Sequence, residues 1–139
     1  MTFKQLSLDQ RIVDAIITAG YTIPTPIQSQ SIPKILEGRD VMGLAQTGTG
    51  KTAAFTIPIL QRLLNGPQRQ IRALIVAPTR ELAEQIRLVS VDLGKHTGLR
   101  SIAIYGGVSK SSQISCLRKG VSIAIACPGR LLDLVGDDH

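Results

Sequence analysis

The 139-residue chain is 43% hydrophobic and 19% charged, which is enough apolar material for one globular core and excludes a disordered tract. No apolar run approaches the ~20 residues that a membrane helix needs, and residues 1–5 hold no apolar targeting segment, so no membrane association is expected. Sixteen Lys and Arg against ten Asp and Glu leave a formal net charge of +6, a weak pointer to a polyanionic partner with nucleic acid as first candidate.

In chain order, two helices come first. Ser7-Leu8-Asp9-Gln10 is spelled as a capping box, followed by Ile12, Val13, Ile16 and Ile17 on one face and Gly20 as a stop. Thr25-Pro26-Ile27-Gln28 offers a second N-cap with Pro at the first helical position, and Pro33 is expected to bend or shorten that helix. Four short apolar runs then appear at 41–45, 73–77, 102–105 and 121–126. Each is bounded by charge, Gly or Pro, as expected of parallel strands buried on both faces. Helical patterns fill the intervals at about 51–64, 80–93 and 112–119. Alternating strand and helix predicts an α/β fold, a mainly parallel sheet flanked by helices with right-handed crossovers. Cys116 and Cys127 lack redox or zinc spacing and read as buried small hydrophobes in a reducing, cytoplasmic setting.

Ala45-Gln46-Thr47-Gly48-Thr49-Gly50-Lys51-Thr52 follows the first expected strand and opens a helix, the context of a phosphate-binding loop. Gly48 and Gly50 let successive N–H groups turn toward phosphate oxygens, and the helix N-terminus adds partial positive charge. Lys51 would neutralise the β and γ phosphates, and the Thr52 hydroxyl would ligate Mg²⁺. Ala45 stands where the strict pattern has its first Gly, a mild departure. A Gly/Thr-rich turn that merely starts a helix is the bland alternative, and the full Gly-Lys-Thr ending leaves it little room.

The flanking segments narrow the class. Phe3, the stretch 20–28 ending in Gln28, Pro78-Thr79-Arg80-Glu81-Leu82-Ala83, Gly106-Gly107 and Pro128-Gly129-Arg130 occur in that order around the loop. Together they resemble the first RecA-like domain of a DEAD-box ATP-dependent RNA helicase over essentially the whole chain, with a spelling nearest to bacterial, RhlE-like members. The resemblance implies ATP and Mg²⁺ as cofactors and RNA as partner. It divides the chain into an upstream adenine-recognition region, 1–38, and an incomplete, partial RecA-like P-loop NTPase core, 39–139.

By resemblance, Gln28 reads adenine and Tyr21 stacks on the base, with Phe3 in support, while Gln46, Thr47, Gly48, Thr49, Gly50, Lys51 and Thr52 hold the phosphates. Gln28 also fits as the N3 partner of Thr25 in a capping box, though the family match favours adenine; Tyr21 also reads as a half-buried helix-exit aromatic and Phe3 as a packing anchor. Pro78, Thr79, Arg80, Gly106, Gly107, Gly129 and Arg130 match segments that touch sugar and phosphate, which implies sequence-independent RNA binding. Their plain readings are an N-cap for Thr79, a solvated charge for Arg80 and a strand-exit turn for the glycine pair. Base stacking is not expected from a chain with no Trp, two Phe and two Tyr.

Two departures stand out. Cys127 replaces the family's usual Thr, and a thiol caps a helix and meets phosphate poorly. No Asp-Glu-Ala-Asp occurs, and Asp137-Asp138 follows a helix rather than an apolar strand. The resemblance therefore implies the N-terminal part of a longer enzyme, without the second RecA-like domain. Such a piece is expected to bind without turnover, to leave strand edges unpaired beside the phosphate loop, and to be capable of self-association.

Overall fold

A computed structural model describes residues 1–137; Asp138 and His139, the end of the acidic tail weighed above, lie outside the described residues. A 3₁₀ turn at Phe3–Leu6 leads into α1 (Gln10–Thr18) and α2 (Pro26–Leu36). Then follow α3 (Lys51–Leu63), β1 (Ala73–Val76), α4 (Arg80–Leu93), β2 (Ser101–Ile104), α5 (Lys110–Lys119), β3 (Ile123–Ala126) and α6 (Pro128–Gly136). Among the described residues the strands form one parallel sheet in the order β1-β3-β2, with Val76, Ala126 and Ile104 in register at its C-terminal rim.

The sheet separates two apolar layers. On one face Ile123, Ile125 and Ala103 pack with Ile57 and Leu60 of α3, Ala83 and Ile86 of α4, and Ile12 and Ile16 of α1. On the other, Ile102, Ile104, Ala124 and Ala126 meet Leu134, with Ile114, Leu117 and Leu131 from α5 and α6 alongside. Register puts Leu74 opposite Ala124 and Val76 opposite Ala126, on this second face. Helices α5 and α6 do not reach them, so they stay 52% and 56% exposed. The central strand β3 is buried along its whole length, as its uninterrupted apolar spelling requires, whereas β1 is half bare.

The expected first strand does not form. Residues 41–45 are unpaired, and Met42 and Leu44 are each 88% exposed. A strand exists only through hydrogen bonds to a neighbour, and β1 pairs with β3 alone among the described residues. The phosphate loop is thus held from its helix side, not from a preceding strand.

Local details differ at several positions. Ser7 is not the α1 N-cap; it leaves the 3₁₀ turn at φ 58, and the Asp9 carboxylate caps α1 by accepting the Arg11 N–H at 2.9 Å. Ile12, Val13 and Ile16 are buried, but Ile17, at the margin of the stripe, is 54% exposed. Pro33 lies inside α2, which runs on three residues to Leu36; its carbonyl accepts the Glu37 N–H, because proline lacks a donor but not an acceptor. Cys116 is exposed on α5 and is no core hydrophobe, whereas Cys127 is half-buried and packs against the core. No described helix is long and apolar enough to cross a membrane.

Candidate nucleotide and nucleic-acid site

The loop before α3 turns at Gly48 and Gly50, both at φ 84, which side chains disfavour. Gly50 is the N-cap of α3, so the helix opens with its free N–H groups at the loop. Lys51 folds back, its Nζ donating to the Ala45 carbonyl at 2.6 Å, and the Thr49 hydroxyl donates to the Gln46 carbonyl at 2.6 Å. The ammonium is exposed and held by one hydrogen bond, so it can turn to a phosphate at small cost. Thr52 lies half-buried in the same turn.

Gln28 joins the upstream region to this loop. Its Oε1 accepts the Thr25 N–H at 3.0 Å, completing the capping box of α2, and its Nε2 donates to the Gly50 carbonyl at 3.1 Å. The side chain is fully buried, and a Cβ on Gly50 would collide with its amide. The capping reading of Gln28 is therefore realised. Reading adenine requires its second amide hydrogen and second lone pair, or release of the Gly50 bond. Phe3 is buried and meets Tyr21 edge-on, centroids 6.4 Å apart at 83°, so Phe3 is a packing anchor beneath the half-buried Tyr21.

The remaining segments leave the C-terminal ends of the three strands. Parallel pairing alone brings them together, Pro78-Thr79-Arg80 after β1, Gly106-Gly107 after β2 and Pro128-Gly129-Arg130 after β3. Ligands of open α/β sheets bind at this kind of rim. Thr79 caps α4 by accepting the Leu82 N–H at 3.2 Å, which leaves its own hydroxyl proton to donate. The exposed Arg80 guanidinium stands 5.1 Å from the centre of the Tyr105 ring. A Cβ on Gly107, at φ 83, would come to 3.0 Å from Arg80 Nη1. Cβ atoms on Gly106 or Gly129 would meet nothing within 4 Å, so the fold itself does not demand glycine there. Cys127 precedes α6 without a side-chain cap bond, as a thiol should.

A polar network that sequence reading missed lies beneath the rim. The Tyr105 hydroxyl donates to Glu84 Oε1 at 3.1 Å, and Arg87 donates to Glu84 Oε2 at 3.0 Å. The Arg87 bond outweighs partial burial and holds the Glu84 carboxyl below its ordinary range; burial, aided by Glu84, raises the Tyr105 phenol. Gln113 is buried in the first turns of α5, its Nε2 donating to the Tyr105 carbonyl at 2.9 Å. Its Oε1 accepts from Arg130 Nη1 at 3.1 Å, and Arg130 also donates to the Val108 carbonyl at 3.4 Å. The tyrosine next to Gly106-Gly107 was a usable signal; a buried Gln in the polar stretch 109–115 was not.

The DEAD/DEAH box helicase family model matches residues 25–139. DEAD-box ATP-dependent RNA helicase RhpA of Helicobacter pylori is 47% identical over 132 residues, 95% of this chain and 26% of that protein. ATP-dependent rRNA helicase rrp3 of Aspergillus niger is 52% identical over 95% of this chain and 28% of its own length. The crystal structure of the RNA-helicase Prp28 from Chaetomium thermophilum bound to ADP superposes with a TM-score of 0.90 at 39% identity, over 98% of this chain and 34% of that one. The chain spans about a quarter of the length of these curated relatives. They come from a bacterium and a fungus at similar identity, so the bacterial, RhlE-like assignment gains no support over the wider family. The fold is that of RecA-like DEAD-box structures, and the chain belongs to the DEAD/DEAH box helicase family.

Proposed function

We propose that this chain is the part of a cytoplasmic ATP-dependent RNA helicase that holds ATP and grips RNA, with 1–38 serving adenine recognition and 39–139 the phosphates and RNA. The observation that carries the RNA half is the common rim. Three strands deliver Arg80, Arg130 and two open glycines to one line, and the neighbouring Tyr105 ring is taken up by Arg80 and Glu84. Cations and bare backbone suit sugar and phosphate, so binding is sequence-independent.

The nucleotide half rests on the Gln46–Thr52 turn. Left-handed Gly48 and Gly50, the open start of α3 and a swinging Lys51 are a donor set for an anion. ATP would sit there with its base toward Gln28 and Tyr21. Mg²⁺ would take Thr52 as one oxygen ligand and phosphates and water as the rest, since no group of three or more His, Cys, Asp or Glu gathers among the described residues. When bound, the metal neutralises phosphate charge. With no Asp-Glu-Ala-Asp in the 139 residues, Lys51 and Thr52 orient phosphates without a carboxylate to position water, and the chain binds without turnover.

Fluorescence anisotropy with labelled oligouridylate tests the RNA half. Wild type should bind with strong salt dependence, and Arg80→Ala should weaken binding and cut the salt slope by roughly 0.7, one phosphate contact on a single strand. Salt-independent binding, or an Arg80→Ala variant with unchanged affinity and slope, overturns the reading.

A further inference from the structure

We propose that Gln113 is a positioning residue for RNA, a neutral hook that aims Arg130 and fixes the turn before Gly106-Gly107 as one phosphate-binding unit. The proposal rests on the RNA reading of the rim. Gln113 is 6% exposed, yet both ends of its amide leave α5: Nε2 goes to the Tyr105 carbonyl and Oε1 receives Arg130. A buried amide gains little net stability over an apolar side chain of the same shape, so packing alone does not account for Gln at this position. What it adds is geometry, because one rigid amide sets the distance between the exit of β2 and the start of α6.

The choice of a neutral acceptor matters as much. The Arg130 side chain is 14% exposed, so most of its stem is committed to the interior and its head has limited freedom. Its partners are the Val108 carbonyl, Gln113 and, more distantly, the Asp133 carboxylate at 3.8 Å from Nε. Carbonyl and amide oxygens orient a guanidinium without cancelling its charge, which stays available to a phosphate. Without Gln113, Asp133 is the strongest remaining attraction, on α6 itself, and would draw the cation along its own helix. A glutamate at 113 would neutralise Arg130 outright and set a carboxylate against the Tyr105 carbonyl.

Anisotropy of labelled oligouridylate over a KCl series, with Gln113→Leu, Gln113→Glu, Arg130→Ala and Gln113→Leu/Arg130→Ala, tests this. Circular dichroism first establishes that each variant is folded. Gln113→Leu should weaken binding roughly fivefold or more and lower the salt slope by about 0.7 although no charge is removed. Gln113→Glu should weaken binding further. The double variant should bind no more weakly than Arg130→Ala. An unchanged slope with losses that add in the double variant means a merely structural role and overturns the proposal, as does wild-type affinity in the Gln113 variants. If Gln113→Leu does not fold, the nearly isosteric Gln113→Glu decides alone, and wild-type affinity and slope in it are fatal. Wild-type binding that is absent or insensitive to Arg80→Ala removes the RNA reading itself, and this proposal with it; binding that responds to Arg80 but not to Gln113 removes only this one.

Discussion

Replacing Gln28 by Ala strikes the joint between the upstream region and the phosphate loop. The side chain is fully buried and holds two hydrogen bonds, from the Thr25 N–H and to the Gly50 carbonyl. Each bond is worth about 1 kcal/mol net. The lost γ-methylene adds about 0.8 kcal/mol of burial. Incomplete rehydration of the two orphaned backbone groups pushes the total upward, so a loss of roughly 2–4 kcal/mol is expected. Urea unfolding followed by circular dichroism reads it as a lowered midpoint with an unchanged slope. Gln28→Glu sharpens the test. It keeps the acceptor for Thr25 but sets a carboxylate against the Gly50 carbonyl at neutral pH, whereas its protonated form can donate as the amide does. Its stability should therefore recover relative to wild type as pH falls through its own titration. A Gln28→Ala loss below about 1 kcal/mol, less than the two bonds require, or a Gln28→Glu protein as stable as wild type at pH 7, refutes the joint.

Two further outcomes follow from the network and the sheet edge. Glu84 titrates below its ordinary range in the folded state, chiefly through Arg87, so its contribution is present above the unfolded pKa of about 4.3 and lost as pH falls through the lower folded value. Acid unfolding of Glu84→Gln should be correspondingly less pH-dependent below about pH 5, and a profile parallel to wild type contradicts this. The bare edge of β1, with Leu74 and Val76 exposed, and the exposed Met42 and Leu44 should drive concentration-dependent self-association. Leu74→Lys should reduce it in sedimentation velocity; a wild type that sediments as a monomer at all concentrations rules it out.

Much of this architecture was legible because local signals agreed. The span of α4 and the N-cap of α2 follow from Thr79, Thr25 and Pro26 standing where helix starts require them, and β3 from an apolar run bare of charge. The 41–45 run failed for a reason that no local pattern carries. Its apolar spelling promises a strand, but pairing needs a neighbour, and burial is decided by what lies across the sheet. Ser7 misled because Ser and Asp two residues apart compete for one cap, and the aspartate also binds the Arg11 side chain.

In the site, the motif residues were legible and their supports were not. Arg80, Gly107 and Arg130 are marked by neighbours in sequence, while Glu84, Tyr105 and Gln113 matter through contacts 8 to 21 residues apart. Gln28 illustrates both layers. Its spacing from Thr25 announces the cap, but its bond to Gly50, 22 residues on, is visible only in three dimensions.

ATP titration of wild type against Lys51→Ala, followed by equilibrium dialysis with labelled nucleotide, bears most directly on the claim that the Gln46–Thr52 turn holds ATP. Saturable Mg²⁺-dependent binding by wild type, lost or weakened at least tenfold in a folded Lys51→Ala protein, is expected when one charge-assisted phosphate contact worth about 1.4 kcal/mol or more disappears. Equal binding by both proteins, or none by a folded wild type, contradicts it.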